Sequence, residues 1–523
     1  MKLIIGRSAV ATTARTARNQ LSVQSLVQSF STNVRRFPDA PALIWRGAPV
    51  SYRELNDRAL CARTQLNRAD IGSAPIGLRC SKSPDSIALV LACLMDQRSF
   101  LLPSTTLPEH TLRELFLRAG CVGVLTAPDP SSGPSSGKYS WMALDRTRHD
   151  RGFAERDRQF SPDPDVVTFM LTTSGSTGLP KIVPLSEGAV DRFTDWAGTR
   201  FELGPGRSVL NFSPLNFDLC LLDIWATLKH GGCVVLVEPA RATSGEYLRD
   251  LLIRHEVELV QAVPMCYQLL AQVPTEFAAV RHAVITGDSI APQGLAQLPG
   301  MFPHARLYNL YGCTETNDSL LYEIDPADLP AAALPLGDPL PGVRVLLVDK
   351  DGTIQDGPGK GELYVSTPFQ TSGYLGLSDN ESRFVAHPSG AGGLRYFRTG
   401  DLVCRHEDGS FTLAGRKDFV VKVRGVRTNI EEVEQVIRRH PDISEVAVVA
   451  VPDPVAGNLL HAETRRVPGS ALNSLLLRRF CADHLPLTAI PSTVRISDDP
   501  LPRTSTGKVD RRTVAHHLPR KAG

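Results

Sequence analysis

Leu171-Thr-Thr-Ser-Gly-Ser-Thr-Gly-Leu-Pro-Lys181 gathers glycines, hydroxyl side chains and one cation into a single short segment. Gly175 and Gly178 let backbone N–H groups approach anionic oxygens, and Thr173, Ser174, Ser176 and Thr177 add hydroxyl donors. Such a loop suits a polyphosphate, with Lys181 as its cation. The preceding Val166-Val-Thr-Phe-Met-Leu171 reads as a buried strand that feeds it. The commoner nucleotide motif, Gly-x-x-x-x-Gly-Lys-Ser/Thr running directly into a helix, is absent. Pro180 precedes Lys181, an extended Ile-Val-Pro-Leu follows, and the next helix is expected from Glu187 to Ala197 with Ser186 as its N-cap.

Working outward, helical patterns alternate with short apolar strands through the first 330 residues. Helices are expected at 83–96 and 246–254, and strands at 122–126 and 257–263, which is the signature of α/β layers. The polar stretch 127–165, rich in Pro, Ser and Gly, reads as a long surface connection. From Gly342 onward short strands take over, at 344–348, 362–365 and 411–414, and predict a small β-rich unit. Beyond Arg416 a helix near 430–439 and a strand at 447–451 predict a separate compact α+β domain.

The chain has 523 residues, 42% of them hydrophobic, enough for several cores. Its longest strongly apolar run, 87–95, falls far short of the roughly 20 residues a membrane span requires. No membrane partner is expected. Ten dispersed cysteines without a Cys-x-x-Cys pair, and histidines without zinc spacing, fit a reduced, cytoplasmic protein. The formal charge is +2, yet the part from Lys417 onward carries 17 basic against 12 acidic residues. That surplus suits an acidic partner, and no nucleic-acid motif accompanies it. Residues 1–20 read as an N-terminal extension, because this region is basic, rich in Ser, Thr and Ala, and lacks a continuous apolar core.

Five further segments follow the loop in order. They are Asn216-Phe-Asp-Leu-Cys220, Tyr311-Gly-Cys-Thr-Glu315, Arg398-Thr-Gly-Asp401, Gly415-Arg-Lys-Asp418 and Pro502-Arg-Thr-Ser-Thr-Gly-Lys508. Together they resemble the adenylate-forming superfamily, most closely the adenylation domains of nonribosomal peptide synthetases. The resemblance runs from Ser51 to Lys508. It implies an α/β fold: a large N-terminal domain (21–416) of two α/β subdomains plus a β-barrel, then a small mobile α+β C-terminal domain (417–523).

The resemblance also implies a chemistry. A substrate carboxylate attacks the α-phosphorus of ATP, pyrophosphate leaves, and the acyl adenylate then passes to a thiol. Lys508, Thr314 and Glu315 are implied as catalytic residues, Glu315 also as the Mg²⁺ ligand. The nucleotide is expected to meet 173–178, Lys181, the Gly287-Asp288-Ser289 segment, Tyr311, Asp401 and Arg416. Asp218 matches the carboxylate that pairs with a substrate α-ammonium group, with Leu219, Leu222, Ala262, Ile285, Gly287, Leu310, Asp318 and Ser319 as the remaining wall. Asp418 maps onto the hinge, and Gly425 onto a position used when the second half-reaction assembles. Cys313 stands where the family usually has Pro, and 96–103 lacks the usual Ala-Gly pair and the following Asp-Pro.

The expected reaction is therefore amino-acid adenylation followed by thioester transfer to a separate phosphopantetheine-bearing carrier protein. The carrier is expected to be separate because fifteen residues follow Lys508. An acid:CoA ligase shares the first half-reaction and is the alternative. A nucleotide-binding regulator without catalysis is a second, disfavoured by the presence of Glu315, Asp401 and Lys508.

Overall fold

The computed structural model describes residues 25–68, 73–127, 141–143, 163–173, 179–290, 292–330, 333–376, 380–390, 393–416, 420–453, 456–502 and 509–516. Ser174, Gly175, Ser176, Thr177, Gly178, Asp418 and Lys508 lie outside them.

Two α/β layers carry the first part of the chain. One is a sheet of nine described strands whose centre, Pro41–Trp45, Cys233–Leu236, Ser208–Asn211, Leu259–Ala262, His282–Thr286 and Arg306–Cys313, is parallel. The other has six described strands and ends in Val167–Thr173 paired antiparallel with Lys181–Ser186. The expected strand thus ends where the Ser/Gly loop begins. Helix Glu187–Arg200 follows, and the Ser186 hydroxyl accepts from Ala189 N at 3.3 Å, as the N-cap reading required.

One apolar core runs between the two sheets. Helix Pro84–Met95 is buried from Pro84 to Leu94 and lies inside it, which explains a run that is hydrophobic on every side yet too short for a membrane. Each large side chain so buried contributes about 1.5–3 kcal/mol. Among the described residues no helix is long and apolar enough to cross a membrane. All ten cysteines are free.

The 127–165 stretch is more than a connection: Trp141–Ala143 forms a strand parallel to Val124–Thr126. Its three apolar residues supply an edge strand amid polar sequence. The β-rich unit is a five-stranded antiparallel sheet built on Gly359–Ser366 and Arg395–Arg405. Beyond it, Ile443–Asp453, Gly457–Arg466 and Thr493–Ser497 form a three-stranded sheet that shares its own apolar core with helices Ile430–Arg438 and Ser474–His484. An unforeseen hairpin, Val420–Val423 with Val426–Asn429, projects from this small domain. Arg424 and Gly425 at its tip both have positive φ, 51° and 79°, the pairing that a type I′ turn demands.

Candidate active site

The site is assembled around the turn between antiparallel strands Arg306–Cys313 and Asn317–Ile324. A register shift after Tyr311 sets Gly312 opposite Asp318, and a Cβ on Gly312 would stand 2.5 Å from the Asn317 carbonyl oxygen. Only glycine tolerates that approach. The tightened turn brings Thr314, Glu315 and Asp318 to one end of the large sheet.

Asp218 enters from the loop that follows strand Ser208–Asn211. Its Oδ1 accepts from Leu219 N at 3.0 Å, and the Thr314 hydroxyl is a further donor. Burial pushes its carboxyl above the usual range, partly offset by Thr314. After Asp218 the chain enters a π-helical turn, Leu221–Ala226. Inside it Asp223 is wholly buried and is bonded by Asn211 Nδ2 at 3.1 Å and Gln261 Nε2 at 2.9 Å. Lys82, also buried, donates to the Asn211 and Phe212 carbonyls at 2.9 and 3.1 Å, and burial pulls it down to about 8. This Lys82–Asn211–Asp223–Gln261 network secures both ends of the segment that carries Asp218. Its sequence signals were Lys82 ahead of the apolar run 87–95 and Asp223 within the otherwise apolar run 219–226.

The wall residues separate into two groups. Leu222 and Leu310 share the inter-sheet core, and Asp318 and buried Ser319 lie on the strand paired with that of Leu310. Ala262 and Ile285 do not join them, since both sit in the core formed with helices Gly245–Arg254 and Pro264–Ala271. Gln261, the neighbour of Ala262, turns toward Leu219 instead, with Nε2 3.0 Å from the Leu219 carbonyl oxygen. Gly287 has φ 79° and borders Val263.

Asp318 is the most perturbed carboxyl of the wall. Burial and the Asp218 charge push it up to about 8 against the attraction of Lys422, and the buried Asp223 adjoins it. The native protein therefore keeps a proton that the unfolded chain releases above about pH 4. The associated stability is present at low pH and is lost as pH rises through about 8. Asp318→Asn removes this titration. Without ligand the variant should unfold at a higher temperature than wild type, by a margin growing between about pH 5 and 8 to about 1–3 kcal/mol. Thermal unfolding at several pH values checks this, and a margin that shrinks over that range contradicts it.

A second cluster lies where the large sheet meets the β unit. The Tyr311 hydroxyl donates to Asp401 Oδ2 at 2.5 Å, Arg416 Nη1 pairs with Asp401 Oδ1, and Arg416 Nη2 reaches the Thr399 carbonyl at 2.9 Å. The structure thus joins three residues that are as much as 105 positions apart. Thr173 ends its strand with a buried hydroxyl that has no partner among the described residues, and Lys181 Nζ stands 4.6 Å from the centre of the Tyr374 ring. Asp288 Oδ1 accepts from Ser289 N at 2.8 Å.

Glu315 is 1% exposed. The Tyr374 hydroxyl donates to its Oε1 at 2.6 Å, and Arg427 Nη1 lies 3.2 and 3.3 Å from its two carboxylate oxygens. Burial raises this carboxyl, but Arg427 and Tyr374 outweigh burial and hold it below the ordinary value. Arg427 belongs to the small domain, so the 420–429 hairpin is docked against the site. At its tip a Cβ on Gly425 would meet Val263 Cγ1 at 2.7 Å, and Lys422 lies within electrostatic reach of Asp218, Asp288 and Asp318. Neither Arg427 nor Lys422 was singled out from sequence.

Two family matches agree with this geometry: AMP-binding enzyme over residues 30–375, and AMP-binding enzyme C-terminal domain over 432–508. The chain belongs to the AMP-binding enzyme family. It is 35% identical over 364 residues to an L-proline--[L-prolyl-carrier protein] ligase of Pseudomonas fluorescens, covering 68% of this chain and 69% of the relative. It is 30% identical over 507 residues to a phenyloxazoline synthase of Mycolicibacterium paratuberculosis, with 95% of this chain matched but only 42% of that protein. Among solved structures, an artificially fused adenylation-PCP di-domain NRPS from Klebsiella oxytoca superposes with a TM-score of 0.77 at 24% identity, covering 90% of this chain and 93% of that one. That likeness concerns the fold.

Proposed function

We propose that the protein activates an α-amino acid with ATP, forming aminoacyl-AMP and pyrophosphate, and then transfers the aminoacyl group to the phosphopantetheine thiol of a carrier protein. The observation that carries this reading is Asp218. It is a recessed carboxylate oriented by Leu219 N and Thr314, and it suits a substrate ammonium held by a charge-assisted hydrogen bond. The relatives named as ligases of carrier proteins, and the family itself, support the same reaction class.

In the first step a substrate carboxylate oxygen bonds to the α-phosphorus as the α–β bridging bond breaks. Asp401, kept in place by Tyr311 and Arg416, would accept from the ribose hydroxyls, and Asp288 and Ser289 would border the adenine. Residues 173–178 and Lys181 would surround the β- and γ-phosphates, where the unpartnered Thr173 hydroxyl offers a donor. Lys508 would bring its cation to the reacting oxygens.

Among the described residues no group of three or more His, Cys, Asp or Glu side chains could enclose a metal. Glu315 is nevertheless a buried carboxylate already facing a cation, which fits Mg²⁺ shared between one carboxylate and substrate phosphates. Bound there, the ion would neutralise charge on the leaving pyrophosphate.

In the second step a thiol attacks the acyl carbon and AMP leaves. We assign the docked 420–429 hairpin to this step and the hinge to Asp418, with the large domain ending at 416 and the small domain beginning at 417. Rotation about that hinge would exchange Lys508 for Gly425 at the site.

The partner is tested by thioester formation with holo carrier proteins and with free coenzyme A, using one preformed aminoacyl-AMP. Carrier-dependent product at rates well above the coenzyme A rate is expected. The reverse ratio would make the protein an acid:CoA ligase.

A further inference from the structure

Near Asp218 lie acceptors that no donor among the described residues satisfies. Among the described residues no hydrogen-bond donor reaches the Asp318 carboxylate, although it stands beside Asp218 and faces Gly312 across the strand pair. Gln261 is fully buried. Its amide nitrogen donates to the Leu219 carbonyl, next to Asp218, and to Asp223, and its Oε1 is buried without a partner among the described residues. Asn211 repeats the pattern: its Nδ2 serves Asp223 and its Oδ1 has no partner among the described residues. The one buried cation nearby, Lys82, is bonded to the Asn211 and Phe212 carbonyls. Buried acceptors left in this condition are costly unless a ligand supplies the donors.

We propose that the substrate is an α-amino acid whose side chain ends in a second amino group, received by Asp318 and the Gln261 carbonyl oxygen while Asp218 holds the α-ammonium. This assignment rests on the amino-acid-activating reading of the site and narrows its substrate class. An ammonium group has three donors and one positive charge, which matches a wall of carboxylate and amide oxygens. A hydroxyl brings one donor and no charge, so unlike an ammonium it does not favour release of the Asp318 proton and formation of an ion pair. Lys422 approaches the two carboxylates without bonding Asp318, and burial still holds that carboxyl near 8, so the small domain does not meet the demand. Leu222 and Leu310 offer apolar surface to the methylene stem.

The test is amino-acid-dependent ATP–pyrophosphate exchange with the full chain, using pairs matched in length: diaminobutyrate and norvaline, ornithine and norleucine, with proline included. At least one diamino acid should exceed its neutral partner in kcat/KM by about ten-thousandfold, the order expected when a site built to hydrogen-bond a polar group meets an analogue lacking it. Asp318→Asn should remove most of that margin, and Asp318→Leu should invert it in favour of the neutral partner. An ATP-induced rise in melting temperature equal to that of wild type shows that both variants are folded. A wild-type preference for a neutral amino acid, proline among them, overturns the inference and leaves the proposed reaction standing. A margin unchanged in both variants overturns the role of Asp318. Absence of exchange with every amino acid overturns the inference together with the reaction.

Discussion

Asp218→Asn is expected to lower kcat/KM for amino-acid-dependent pyrophosphate exchange by about a hundredfold while ATP affinity stays within a few-fold. The substitution preserves shape, and an asparagine Oδ1 still accepts from Leu219 N, which Asp218 now does at 3.0 Å. What disappears is the negative charge that we propose to face the substrate ammonium. Truncating one partner of a buried, hydrogen-bonded charge pair costs about 2–5 kcal/mol, so a loss near 3 kcal/mol, or two decades, is reasonable. The cluster of Tyr311, Asp401 and Arg416 that we propose for the nucleotide uses other residues, and this is why ATP binding should survive. Exchange kinetics combined with ATP titration separate the two effects. Undiminished activation of the preferred amino acid would remove the ammonium-binding role.

Arg427→Ala should act on the other half of the cycle. It removes the cation from a carboxylate that is 1% exposed and leaves Glu315 the Tyr374 hydroxyl and the Cys313 thiol as side-chain donors. Breaking a buried pair costs about 3–5 kcal/mol, and discounting for an Arg427 side chain that is 20% exposed leaves about 2–3 kcal/mol. That cost falls on the arrangement with the hairpin docked. Thioester formation from preformed aminoacyl-AMP should therefore slow by about fiftyfold, with pyrophosphate exchange changed only a few-fold. Single-turnover transfer beside exchange is the appropriate pair of measurements. Loss of exchange with transfer intact would assign the docked hairpin to adenylation instead.

Much of this architecture is legible in the sequence because local rules and tertiary structure agree. Strand Val167–Thr173, the Ser186 cap and the buried helix Pro84–Met95 follow from apolar patterning and capping chemistry alone. The substrate wall is harder to read. Strands Leu259–Ala262 and His282–Thr286 are buried on both faces, so alternation cannot say which of Gln261 and Ala262 faces Leu219. A one-residue ambiguity exchanges the two faces, and that is why Ala262 and Ile285 lie in the other core. The π-helical turn at Leu221–Ala226 adds a similar offset, because its spacing differs from the α-helical period.

Contacts between domains were the least legible. Lys422 and Arg427 alternate with apolar residues in two short strands, a pattern equally suited to solvent-facing cations. Their partners Asp218, Asp288, Asp318 and Glu315 come from distant segments. The bond from Arg427 to buried Glu315 and the packing of the hairpin tip against Val263 show that the hairpin faces the site. Asp401 and Arg416 were legible as members of ordered motifs, but the bonds that Asp401 accepts from both Tyr311 and Arg416 required three dimensions.

The central claim is that this site adenylates an amino acid, and ATP–pyrophosphate exchange with the wild-type chain across amino acids, aryl acids and fatty acids tests it most directly. Exchange should depend on an acid that carries an α-ammonium group and should fall to background with its deaminated analogue. Exchange supported equally by the deaminated acid, or only by acids without an amine, would contradict it.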